Sequence, residues 1–216
     1  MQLNNKKELK PLKRGKSEEE KKVIDYFLAT GLFGTSIMSG AMSDESFDAM
    51  LKNKLNSLNL KAKALQKIGL DEDQLKEIPP VYLCGFMSSV NGKSTYGKKG
   101  KDGRYRTSGY SASYLFFSEK QIYMYSMIFD MASGAKKEIT EEYFYKDVTN
   151  VSTVNTTTEY KIPSGCLGNS TKTLQEDVLE VCLTVPGDKF YVGASDVPDL
   201  DKSVNAMKQK LREKKG

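Results

Sequence analysis

The stretch Ser111 to Asp130, SASYLFFSEKQIYMYSMIFD, constrains the fold of this chain more than any other. Two runs rich in aromatic and β-branched residues, Tyr114–Phe117 and Ile122–Phe129, flank the polar break Ser118-Glu-Lys-Gln121. Such runs around a short polar break predict a β-hairpin. In the second run Ile122, Met124, Ser126 and Ile128 alternate with Tyr123, Tyr125, Met127 and Phe129. Both sets are mostly apolar, so this arm is expected to be central and covered on both sides.

A chain of 216 residues can build one good core, or a small domain with a helical appendage. Its net charge of +5 is concentrated at the ends. Lys6, Lys7, Lys10, Lys13, Arg14 and Lys16 face only Glu8 in residues 1–16, and the last nine residues are similarly basic. Basic ends are read first as solvated tails, and second as contacts for nucleic acid or an anionic membrane. The chain has no histidine. That removes the commonest general base, the Ser-His and Cys-His nucleophile systems and the commonest zinc ligand. The expectation is a protein that is not an enzyme and uses no cofactor or metal. Cys84, Cys166 and Cys182 match no CxxC spacing. They read as buried small hydrophobes in a reduced, cytoplasmic protein.

Taken in order, residues 1–16 read as a disordered basic arm, with Pro11 and Gly15 breaking any helix. Residues 17–79 read as a helical region. Ser17-Glu-Glu-Glu20 has capping-box spacing and starts a helix at Glu18. Val23 to Met42 is apolar, but Asp25 and three glycines leave it short of a membrane span. Ser43-Asp44 caps a long amphipathic helix carrying Phe47, Leu51, Leu55, Leu58 and Leu65, with a kink near Asn56-Ser57 and a stop at Gly69. Asp71 to Ile78 is a further short helix ended by Pro79-Pro80. Strands are then expected over residues 81–86, 104–117, 122–129, 136–145, 150–162, 178–185 and 189–194. Asp102-Gly103 and Asn91-Gly92 are competing turn signals. Residues 163–174 read as an exposed loop. A final helix, capped by Ser195 or Asp196, carries Leu200, Val204, Met207 and Leu211 on one stripe.

Short antiparallel strands followed by an amphipathic helix describe an α+β protein built as a small, partly open barrel with a helical plug. Tyr114-Leu-Phe-Phe-Ser-Glu-Lys-Gln-Ile-Tyr123 and Tyr143-Phe-Tyr-Lys-Asp-Val-Thr-Asn-Val-Ser152 resemble two landmarks of bacterial pleckstrin-homology-like domains. The resemblance covers roughly residues 80–216. It implies a PH-like, partly open antiparallel barrel of about seven strands capped by the C-terminal helix. The long arm at residues 88–110 departs from the shortest members. The resemblance supplies a fold and little function.

The one charged surface with a candidate function is Lys93, Lys98, Lys99, Lys101, Arg104 and Arg106, with Tyr96 and Tyr105 interleaved. Eukaryotic pleckstrin-homology domains hold inositol phosphates with a K-x(n)-[KR]-x-R pattern on their first hairpin. Lys98 or Lys99 followed by Arg104-Tyr-Arg106 is similar to it. Alternate strand residues share a face, so Arg104 and Arg106 are placed to meet one phosphate group. The competing reading is a solvated hairpin whose charges protect a sheet edge. Gly97 to Gly103 is glycine-rich but lacks phosphate-loop spacing. Asp71-Glu72-Asp73 is better suited to helix capping than to calcium. The sequence therefore points to a non-enzymatic interaction module with an unknown protein partner. An anionic lipid or phosphate ligand at the basic hairpin is the first alternative, and weak nucleic-acid binding the second.

Overall fold

The computed structural model describes residues 6–28, 42–71, 79–164 and 170–215. Its centre is a four-stranded antiparallel sheet in the order β1-β6-β7-β8. These strands are β1 (Val81–Met87), β6 (Gly109–Phe117), β7 (Gln121–Asp130) and β8 (Lys136–Phe144). The aromatic hairpin is β6–β7, in register from Phe117 opposite Ile122 to Gly109 opposite Asp130. The Ser118 side chain closes its turn by accepting from the Lys120 and Gln121 N–H groups.

Each face of this sheet lies in a separate core. Cys84, Phe86, Tyr110, Ala112, Phe116, Tyr125, Met127 and Phe129 pack under the N-terminal helices. Leu83, Leu115, Phe117, Ile122 and Met124 face the second sheet and the C-terminal helix. The period-two alternation of β7 thus feeds two cores rather than one core and solvent. Ser113 and Ser126 lie in the second face and satisfy each other at 2.7 Å. An unpaired hydroxyl there would be costly.

The helical layer consists of α1 (Lys6–Lys13), α2 (Glu18–Leu28), α3 (Asp44–Ser57) and α4 (Leu60–Ile68). Helix α2 starts on the expected reciprocal cap. Glu20 N–H donates to Ser17 Oγ, and Ser17 N–H donates to Glu20 Oε2. Tyr26, Phe27 and Phe47 form a mutual aromatic cluster between α2 and α3, with Tyr26 and Phe47 stacked 4.6 Å apart. The expected long helix breaks into α3 and α4 at Asn59, which takes a left-handed φ of 44°. Asparagine tolerates that region better than other side chains. Gly69 ends α4 as expected, with its N–H on the Leu65 carbonyl.

Part of the expected disordered arm is helical, since α1 occupies residues 6–13 despite Pro11. Pro11 removes one helix hydrogen bond. Buried Leu9, half-buried Leu12 and a Lys13–Asp25 ion pair hold the helix on the layer. The expected helix from Asp71 to Ile78 lies outside the described residues apart from Asp71, as does most of the apolar stretch after Leu28. Among the described residues no helix is long and apolar enough to cross a membrane.

Between β1 and β6 the chain makes an excursion of two small ribbons. Strands β2 (Ser89–Val90) and β3 (Lys93–Ser94) are joined by Asn91-Gly92, both at positive φ. Strands β4 (Gly97–Lys99) and β5 (Tyr105–Thr107) are joined across residues 100–104, with Gly103 at φ 81°. The two competing turn signals are therefore both used.

The second sheet has the order β11-β10-β9, from β9 (Asn150–Ser164), β10 (Ser170–Val185) and β11 (Asp188–Gly193). Residues 163–164 and 170–174, expected in a loop, continue the β9–β10 ladder as far as Ser164 opposite Ser170. A 3-10 turn at Tyr145–Asp147 connects the sheets. Among the described residues they do not close into a barrel. They meet where Gly193 N–H donates to Ser111 Oγ. A Cβ at Gly193 would stand 2.6 Å from that oxygen, so only glycine permits the approach.

The last helix, α5 (Leu200–Lys215), buries Val204, Met207 and Leu211 in the second core. It starts later than its expected caps. Ser195 Oγ instead accepts from Phe86 N–H, and Asp196 belongs to the charged cluster described below. Val204 is 3% exposed. A Val204→Asp substitution buries an unpaired carboxylate and should cost about 2–4 kcal/mol. Urea or thermal melts measure this, and an unchanged melt would show that α5 is not part of the core.

Candidate functional site

The basic hairpin folds inward onto carboxylates. Helix α3 begins at Ser43, whose Oγ accepts from Ser46 N–H. This places Asp44 and Asp48, one turn apart, toward the β4–β5 ribbon. Asp44 accepts from Tyr26 Oη and from the Lys101 backbone N–H, each at 2.7 Å. Lys98 Nζ lies 3.9 Å from Asp44 and 3.3 Å from the centroid of the Tyr26 ring, a cation–π contact. Burial pushes the Asp44 carboxyl up, but the Tyr26, Lys101 and Lys98 contacts outweigh it and leave it below its ordinary range. Burial lowers the Lys98 ammonium, and Asp44 only partly restores it.

Arg106 is the centre of the cluster and is 1% exposed. Asp48 takes its Nε at 2.8 Å and one Nη2 hydrogen at 2.7 Å. Asp102 takes Nη1 at 2.9 Å and the second Nη2 hydrogen at 2.7 Å. The Arg104 carbonyl takes the remaining Nη1 hydrogen at 3.4 Å. Every N–H of this guanidinium is committed. Asp48 and Asp102 together raise its pKa further, so it stays charged at any accessible pH. Arg104 is more open. It pairs with Asp196, which also accepts from Tyr110 Oη at 2.7 Å, and lies 3.7 Å from Asp48.

The spacing of Arg104 and Arg106 suggested one shared phosphate, but the structure turns both guanidinium groups to carboxylates. Lys98 is engaged by Asp44 and Tyr26. Lys93, Lys99 and Lys101 remain exposed, with no side-chain ion pair among the described residues. The carboxylates carrying this arrangement, Asp44, Asp48 and Asp196, were not part of the sequence-derived site. Their available signal was two acids at i, i+4 on α3 opposite a basic ribbon.

A second feature lies at the free side of the main sheet. A cavity of about 350 Å³ opens between the start of α2, the end of α3 and the β7–β8 turn. Leu58, Met127, Phe129 and Met131 supply apolar lining, Ser17, Glu19, Glu20, Lys54 and Asp130 supply polar and charged lining, and Gly134, Ala135 and Lys136 line it from the turn. Strand β8 leaves this turn as an edge strand, paired only with β7 among the described residues. At its far end Phe144 is 49% exposed, under a loose Lys146 contact at 5.5 Å. Phe144 and Lys136 belong to the same alternate set as Glu138, which is held by Lys63 at 2.6 Å and by Tyr125 Oη. That set faces the helical layer, as the cavity does.

No family model, curated protein or solved structure matches this chain.

Two outcomes test the charged cluster. Asp48→Asn leaves a buried arginine half-paired and should cost about 3 kcal/mol in a urea melt. The second outcome concerns acid. Asp102 is held well below the ordinary carboxylate range, first by Arg106 and then by the Arg104 N–H. A lowered folded-state pKa stabilises above the unfolded value, and the contribution fades as pH falls. An Asp102→Asn protein should therefore melt below the wild type near neutral pH. The gap should shrink below about pH 4, where unfolded aspartate protonates. A gap independent of pH would contradict the pairing.

Proposed function

We propose that this chain is a non-enzymatic interaction module that meets a protein through the β8 edge and the cavity beside it. The observation carrying this reading is the combination of an edge strand, paired on one side only among the described residues, with a concavity of mixed apolar and charged lining on the same side of the sheet. Edge strands offer backbone hydrogen bonds, and adjacent pockets select side chains. We also propose a PH-like ancestry. Support comes from the antiparallel main sheet, the smaller three-stranded sheet and the terminal amphipathic helix, whose apolar stripe lies in the core they share.

An anionic membrane or phosphate ligand is the second reading. It now rests on exposed Lys93, Lys99 and Lys101, because the two arginines and Lys98 are neutralised from within. Three lysines offer a weak, salt-sensitive attraction. Sedimentation with anionic vesicles at low salt tests it, and its absence there removes this reading.

For the leading reading, a random-peptide display library selected on the intact protein should enrich peptides with an aromatic or large aliphatic anchor. Their binding should fall when Ala135→Glu narrows the cavity mouth, while the melt stays within about 1 kcal/mol of wild type. Peptides that bind both proteins equally, or no enrichment at all, would retire the cavity as a recognition site.

A further inference from the structure

The partner's chemistry can be read from β8 itself, granted the interaction surface proposed above. The strand runs Lys136-Lys-Glu-Ile-Thr-Glu-Glu-Tyr-Phe144, with its lysines at one end and Glu141-Glu142 toward the other. It contains no proline, and its pairing with β7 is continuous from Phe129 opposite Lys136 to Gln121 opposite Phe144. The edge away from β7 is therefore regular over its length, with the Asn91 side chain resting on it at Lys136.

Hydrogen bonding fixes which residues offer their backbone to that edge. Asp130 N–H donates to the Ala135 carbonyl, so Ala135 turns its backbone toward β7. Alternation then turns Lys136, Glu138, Thr140, Glu142 and Phe144 outward. Asn91 Nδ2 reaches the Lys136 carbonyl from the open side, as this phase requires. That carbonyl keeps a second lone pair. A strand pairing antiparallel with a second copy of itself must place outward residues opposite outward residues. Its two-fold axis must then fall on a residue.

Of the possible centres, Ile139 satisfies the charges. It sets Lys136 opposite Glu142 and Lys137 opposite Glu141, twice over by symmetry. Centring on Glu138 or Glu141 places a glutamate against itself, and centring on Thr140 places Glu138 against Glu142. Like charges directly opposite are destabilising, and opposite charges are favourable. The same register brings Phe144 of one copy opposite Gly134 of the other. Gly134 lines the cavity, and Phe144 lies on the cavity's side of the sheet. An exposed ring on each protomer thus meets a hollow on its partner in which Leu58, Met127, Phe129 and Met131 offer apolar contact among charged neighbours.

We propose that β8 is a two-fold interface between copies of this chain, antiparallel about Ile139, with each Phe144 seated in the other's cavity. Such a contact is self-complementary and closed, as cyclic dimers require. Edge pairing alone buries little surface, so the aromatic anchor supplies much of the affinity.

The test uses the full chain and sedimentation velocity over a dilution series. Wild type should dimerise reversibly, and Phe144→Ser should weaken the dimer by roughly tenfold or more. Lys136→Glu with Lys137→Glu gives an acidic edge, and Glu141→Lys with Glu142→Lys gives a basic one. Each double variant alone should be monomeric, with association weakened by roughly a hundredfold. An equimolar mixture of the two should recover a heterodimer, which a folding defect would not permit. A wild type that stays monomeric throughout would overturn the proposal, as would a dimer that survives unchanged in both variants. Cavity-dependent peptide capture by a monomeric wild type would overturn the self-pairing while leaving the interaction surface standing.

Discussion

Two-sided burial of the β6–β7 hairpin is the constraint on which the rest of the molecule depends. A sheet with one wet face needs one covering layer. This sheet has aromatic and aliphatic residues on both faces, so it requires two. The helical layer and the second sheet with α5 are the two covers. Neither has much reason to hold its shape without the hairpin. Helix α5 buries a narrow stripe, and α1 buries Leu9 and part of Leu12 among its described side chains. Their stability comes from docking rather than from intrinsic helix formation.

The charged cluster then fixes how the first cover sits. Apolar packing is tolerant of small slides, whereas paired guanidinium–carboxylate contacts set direction and distance. Asp44 and Asp48 tie α3 to the β4–β5 ribbon, and Asp196 ties the segment before α5 to the same ribbon. The ribbon is therefore a junction among the helical layer, the main sheet and the C-terminal segment. This is a structural use for residues whose pattern suggested a ligand.

Local signals in the sequence proved readable. The Ser17–Glu20 cap, the Asn91-Gly92 turn, the Gly69 stop and the aromatic hairpin each depend on residues a few positions apart. The misjudged features depend on distant partners. Pro11 argued against α1 because its anchor, the pairing of Leu9 and Leu12 with the layer, is tertiary. Asp196 looked like a helix cap because nothing nearby reveals Tyr110 and Arg104. Arg106 looked exposed because charge normally means solvent, and only the meeting of Asp48 and Asp102 allows its burial. Strand pairing had the same limit. The longer strands are legible, but not the short strands at residues 89–99, the break that parts β5 from β6, or the division into a main sheet, a second sheet and two small ribbons.

The order of residues along the chain bears on synthesis. A ribosome delivers Asp48 and Asp102 before Arg106, so the fully buried guanidinium emerges with both acids already present. Asp196 follows Arg104 by 92 positions. Arg104 keeps half its side chain in water, so it can wait for that partner without a desolvated charge. The nascent chain is thus spared its most expensive intermediate, an arginine sealed away before anything can neutralise it.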